Sequence, residues 1–186
     1  MKNFRTIGQL LALLIVPMLG FSQEEKKGVH WMSWGEAVEA NAKEPRMIMV
    51  DTYTDWCGWC KKMDKSTFMN EIIADYMNEH YYAVKLDVEM KDTVVFNGYT
   101  FVNPRPDANR STHQLAASLL DNKLSYPSFV FLDHTFQRIQ ILPGYRGPRQ
   151  FEPIVRYYIE GAPNGITYED FTAQFESLFP PKEPAN

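Results

Sequence analysis

Cys57 and Cys60 are the only cysteines of this 186-residue chain, set three apart in Asp55-Trp56-Cys57-Gly58-Trp59-Cys60-Lys61-Lys62-Met63. Thiols at that spacing close a small ring with little rearrangement of the chain, which suits reversible disulfide exchange. The apolar run Met47–Tyr53 (MIMVDTY) precedes the pair, and helical character begins at Cys57. At a helix start, free N–H groups and a partial positive charge favour a thiolate on the first cysteine. Cys57, at the exposed edge, is therefore read as the nucleophile. Cys60, a turn inside, is read as the thiol that resolves a mixed disulfide. Competing readings are weaker. A structural disulfide across so small a ring removes little unfolded-chain entropy. Zinc needs further ligands, and His30, His80, His113 and His134 show no ligand spacing. Covalent haem attachment needs histidine after the second cysteine, where this chain has Lys61. No metal and no organic cofactor is implied.

Asp51 interrupts the apolar run six residues before Cys57. An ionised carboxylate is expensive there, so burial is expected to raise its pKa and fit it to take the Cys60 proton. Trp56 and Trp59 flank the nucleophile and offer an apolar collar for a substrate. His113 is read as a solvated or capping histidine, and Lys61-Lys62 as a solvated helix face. Apolar residues are 45% of the chain and charged residues 23%, an ordinary balance for a folded domain. The net charge of −4 leaves no basic excess to neutralise phosphates, which excludes an electrostatic nucleic-acid binder.

The surrounding elements are legible in outline. Ser33-Trp34-Gly35-Glu36 is a capping box that opens a helix to about Lys43, stopped by Pro45. Met47–Tyr53 and Tyr81–Val88 read as buried strands. Between them, helical character runs from Cys57 to about Asp64 and again from Asn70 to Asn78. Helix, strand, helix, strand favours a parallel pair joined by a crossover. Val94 to Phe101 is a hairpin turning at Asn97-Gly98, followed by a loop to Ser111. A helix capped by Ser111 or Thr112 is expected through Leu120. Ser128–Asp133 and Gln137–Leu142 suit an antiparallel pair, and Pro148–Glu160 and Ile166–Phe179 read as helices.

These residues resemble the thioredoxin family. Val50-Asp51 followed by Trp56-Cys57-Gly58-x-Cys60-Lys61 is similar to its active-site strand and turn. Tyr126-Pro127-Ser128-Phe129-Val130-Phe131 is similar to its cis-proline segment, and Pro143-Gly144-Tyr145 falls where the family has a glycine ending the last hairpin. The likeness is clear over about residues 45–145, and most like exported bacterial thioredoxin-related proteins. It implies an α/β thioredoxin-like fold, a central mixed β-sheet flanked by helices on both faces. It also implies that Lys85 pairs with Asp51 and that Pro127 is cis beside the thiols. Tyr126 would present backbone groups to an extended substrate, with Gly144 nearby. Trp59, where thioredoxin has proline, and an insertion at about 91–111 depart from the family pattern.

Residues 1–22 carry Lys2 and Arg5, an apolar run from Ile7 to Phe21, and small residues before Gln23. That is the pattern of a secretory signal peptide, with an apolar stretch too short to span a bilayer. The expected organisation is a signal peptide at 1–22, a flexible lead at 23–30, a thioredoxin-like domain at 31–179 and a disordered tail at 180–186. The expected function is an exported thiol–disulfide oxidoreductase, periplasmic or extracellular, monomeric and without a membrane span after cleavage. It would reduce protein disulfides and be reset by a redox partner protein, which a membrane-bound protein could supply. A peptide-binding module or chaperone without redox turnover is the rival class, and a disulfide oxidase or isomerase the rival direction.

Overall fold

A computed structural model of the chain describes residues 27–181. The signal-peptide segment, the lead up to residue 26 and the tail from residue 182 lie outside the described residues. Strand β1 (Trp31–Met32) leads into helix α1 (Trp34–Lys43) through the expected capping box. The Glu36 carboxylate accepts from the Ser33 N–H at 2.7 Å, and Ser33 Oγ accepts from the Glu36 N–H at 3.3 Å. The next elements are β2 (Met47–Tyr53), α2 (Gly58–Ser66), α3 (Glu71–His80) and β3 (Tyr81–Asp87). A small hairpin of β4 (Val94–Phe96) and β5 (Tyr99–Phe101) follows, then α4 (Gln114–Leu119), β6 (Ser128–Leu132), β7 (Arg138–Pro143), α5 (Pro148–Arg156) and α6 (Tyr168–Ala173).

The main sheet runs β1-β3-β2-β6-β7, with β1, β3 and β2 parallel and β6 and β7 antiparallel additions. β2 is covered on both faces, which is why it reads as an almost unbroken apolar run. Its alternate residues serve two cores. Met49 packs with Met63, Ile73, Met77, Phe151 and Val155 from α2, α3 and α5. Ile48 and Val50 pack with Trp34, Ala37, Leu115 and Ala116 from α1 and α4. The mixed sheet with helices on both faces is thus the one the family resemblance implies.

Several local expectations are corrected. The lead is tied down from Gly28 onward. Val29 is buried, its N–H donates to Phe68 O at 2.9 Å, and Asn78 bridges Gly28 O and the His30 N–H. The cap of α4 is His113 rather than Ser111 or Thr112: its Nδ1 accepts from the Leu115 N–H at 3.2 Å. Nε2 therefore carries the ring proton and donates to Asp92 O at 3.0 Å. Of the two readings of His113, capping is the one the structure shows; the ring is fully buried, and burial lowers its pKa.

The C-terminal region departs further from its sequence pattern. After Arg156 the chain winds into a wider turn, Tyr157–Gly161, and then a tight one, Ala162–Asn164. α6 ends at Ala173 instead of Phe179, because residues 174–180 lie as a strap across α5. Buried Glu152 accepts from Ser177 Oγ at 2.5 Å and the Leu178 N–H at 2.6 Å, and Arg149 donates to Pro180 O. The first residue of the expected disordered tail is therefore held.

The insertion folds as its Asn-Gly signal implies, with positive φ at both Asn97 (49°) and Gly98 (78°). It is not a surface ornament. Phe96 stands edge-on to buried Trp34, ring centroids 5.2 Å apart, and 4.8 Å from Phe136. The loop after it is organised by one buried amide. Asn103 donates to Met90 O at 3.2 Å and Ser111 O at 2.9 Å, and accepts from Ser111 Oγ and the Arg105 N–H.

Candidate active site

The end of β2 and the start of α2 place the two cysteines. The Cys57 N–H donates to Thr54 O at 3.0 Å, closing the turn that carries Asp55 and Trp56. Cys57 is the N-cap of α2, in extended backbone, and its Sγ accepts from the Cys60 N–H at 3.1 Å. The two sulfurs are bonded to each other, with the Cα atoms 5.3 Å apart. Cys57 is 6% exposed and Cys60 2%, so the edge that Cys57 shows to solvent is narrow.

Parallel pairing of β2 with β3 sets Asp51 directly opposite Lys85. Both side chains leave the sheet on the face covered by α2. Asp51 is 1% exposed; its Oδ2 accepts from Lys85 Nζ at 2.5 Å, and its Oδ1 has no hydrogen-bond partner among the described residues. Lys85 also binds Asp64, four residues after Cys60 on α2, and its Nζ lies 4.8 Å from the Trp31 ring centre and 5.0 Å from that of Tyr53. Burial pushes the Asp51 carboxyl up to about 6 even though Lys85 pulls the other way. For Lys85 burial lowers the pKa, but the two carboxylates together outweigh it and hold the ammonium above the ordinary lysine value. A carboxyl at about 6 is mostly ionised at neutral pH, free to accept a proton.

Trp56 and Trp59 flank the disulfide, 51% and 57% exposed. The Trp56 indole N–H donates to Glu89 at 3.2 Å, its ring stands edge-on to Tyr126 at 5.9 Å, and the Arg110 guanidinium lies 4.8 Å from its centre. Trp59 leans on Tyr145 at 5.4 Å, with the Lys62 ammonium against both rings. The Tyr126–Pro127 peptide bond is cis. Pro127 O accepts from the Gly144 N–H at 2.8 Å. Gly144 has φ of +90°, a region closed to most side chains, so it serves to hold the end of β7 against the proline segment. Asp64, Glu89, Arg110 and Tyr145 were not singled out by the sequence reading. The i,i+4 spacing of Cys60 and Asp64 on one helix face was the available signal for the first. Arg110 comes from the insertion and carried none.

Comparison with known proteins adds a family. Residues 19–140 match the family model Thioredox_DsbH, described as a protein of unknown function, DUF255. Spermatogenesis-associated protein 20 of Homo sapiens is 35% identical over 75 residues, 40% of this chain and 10% of that protein. Disulfide bond reductase DsbH of Chlamydia pneumoniae is 24% identical over 106 residues, 56% of this chain and 57% of that one. The chain thus spans a tenth of the first of these relatives and just over half of the second. Among solved structures, a DsbH oxidoreductase superposes with TM-score 0.52 at 16% identity, covering 86% of this chain and 96% of that one. A thioredoxin from Thermus thermophilus gives TM-score 0.54 at 20% identity, covering 74% and 93%. At those identities the likeness is one of fold.

Proposed function

Starting from a chain that belongs to the Thioredox_DsbH family and has the thioredoxin fold, we propose that it reduces disulfides of partner proteins through Cys57 and Cys60. The observation that carries the reading is the arrangement at the start of α2. Cys57 caps the helix, Cys60 lies a turn inside, and a buried carboxyl at about 6 stands on the neighbouring strand.

In the dithiol form, the Cys57 thiolate attacks one sulfur of the partner disulfide. A Cys57–partner bond forms, the partner S–S bond breaks, and its other sulfur leaves as thiolate. Cys60 then gives its proton to Asp51 and attacks Cys57 Sγ. The Cys57–Cys60 disulfide forms and the second partner sulfur leaves. Two electrons pass to the partner, and the chain is left in the disulfide state described above. A second dithiol protein must return those electrons. Tyr126 and Pro127 would offer backbone groups to the extended partner segment, between the two tryptophans. The pattern of residues 1–22 supports export, so this exchange would take place in the periplasm or outside the cell. Among the described residues no helix is long and apolar enough to cross a membrane.

The test is Cys60→Ser. In the reduced form this variant should attack and stop, accumulating mixed disulfides on Cys57 that dithiothreitol releases. A Cys57→Ser variant should trap nothing. Absence of trapped partners, together with no reduction of insulin disulfides by the wild type, would leave the peptide-binding reading instead. Potentials of such dithiol proteins run from roughly −270 to −120 mV, and a reductase should equilibrate near the lower end against glutathione.

A further inference from the structure

Beside Trp56 opens a groove of about 840 Å³ whose far wall is the inserted loop around Pro106 to Arg110. Its near wall carries Asp55, Asp87 and Glu89. None of these three carboxylates is ion-paired with a lysine or arginine among the described residues, whereas the groove's Lys91 is bound to Asp107 at 2.9 Å. The carboxylates also act on one another: the Asp87 carboxyl is held above the ordinary range, first by burial and then by the charges of Asp55 and Glu89. The groove is therefore a preformed anionic cleft one residue from Cys57.

A second observation shows what chemistry the cleft accepts. The chain's own Arg110 guanidinium already lies 4.8 Å from the Trp56 ring centre, and the same indole is tied to Glu89 through its N–H. An aromatic face with a carboxylate at its edge is a setting that binds a planar cation, arginine better than lysine, because guanidinium stacks and pairs at once. The Asn103 hydrogen bonds fix the loop that forms the wall, so little ordering is needed when a partner arrives. We infer that this cleft selects partner segments with a basic side chain, arginine before lysine, next to the cysteine that Cys57 attacks. The inference rests on the proposed disulfide reduction and names the class of partner it acts on. The insertion is then the element that sets that preference.

The probe is a short peptide with one intramolecular disulfide, made with Arg, Gln or Glu beside its first cysteine. Each is offered to the dithiol form of the whole chain, and kcat/KM is compared between peptides. Two exposed charge contacts of this kind should favour the Arg over the Glu peptide by about tenfold at low salt, shrinking as salt is added. A charge beside a peptide cysteine also changes its intrinsic reactivity, so the decisive quantity is the change in the ratio between variants. Asp55→Asn combined with Asp87→Asn should bring the ratio close to that seen with dithiothreitol alone. Arg110→Ala, which removes a competing cation, should raise it. A ratio identical in wild type and both variants, with all three peptides reduced, would overturn this inference and leave the proposed function standing. Failure of the wild type to reduce any peptide would overturn both.

Discussion

The Asp51 carboxyl is held between burial, which favours its neutral form, and Lys85, which favours its charge. Because the folded pKa of about 6 lies above the ordinary aspartate value of 3.8, this acid contributes most to stability when protonated. That contribution is present below about pH 4, is lost as pH rises through about 6, and amounts to about 3 kcal/mol. Asp51→Asn should accordingly be more stable than wild type at pH 7 and gain little or nothing at pH 4, as read by urea unfolding at both values. Lys85 keeps Asp64 as a partner in the variant. The same change should slow decay of a Cys57 mixed disulfide at neutral pH, with less effect at alkaline pH, where hydroxide takes the Cys60 proton. In the wild type that decay should fall off as pH drops through about 6. Unchanged decay at pH 7 would remove Asp51 from the reaction. The acid was legible from a charge inside an apolar run. For the second carboxylate on Lys85, Asp64, the only local sign is its i,i+4 spacing from Cys60, because pairing between β3 and α2 is set by packing.

At the scale of elements, the hairpin gives the sharpest contrast between exposed and packed aromatics. Phe96 stands against Trp34 and Phe136, while Tyr99, three residues on, is 70% exposed. Phe96→Ala should cost about 2–3 kcal/mol in chemical denaturation, and Tyr99→Ala no more than about 0.5 kcal/mol. Equal small losses would return the insertion to the surface. Elements with strong local chemistry were readable: the Ser33–Glu36 box, the Asn97-Gly98 turn, and β2 and β3 within a residue of their ends. Those that failed depend on distant partners. β1 is two residues long and exists only because β3 offers an edge. α4 starts at His113 because Asp92 O waits for its ring N–H, a contact across 21 residues of sequence. α6 stops early because Glu152 and Arg149 claim the backbone beyond it.

Across the whole molecule, that strap joins residues 174–180 to the core. Ending the chain at Ala173 would remove both hydrogen bonds that Glu152 accepts from the strap and leave Arg156, at 3.7 Å, as its ion-pair partner among the described residues. The shortened chain should lose about 2–4 kcal/mol in thermal or urea unfolding. Adding Glu152→Met to it should recover part of that loss by removing the stranded charge. No recovery would mean that the strap's apolar contacts carry the effect. The two indoles that border Cys57 and Cys60 have an optical consequence as well. A disulfide accepts an electron from an excited indole, so Trp56 and Trp59 should emit weakly while the sulfurs are bonded and brighten when they separate. Trp31 and Trp34, each packed elsewhere, supply a steady background. Emission from the unlabelled protein should therefore follow its redox state in real time, and Trp59→Phe with Trp56→Phe should leave a spectrum that reduction no longer changes.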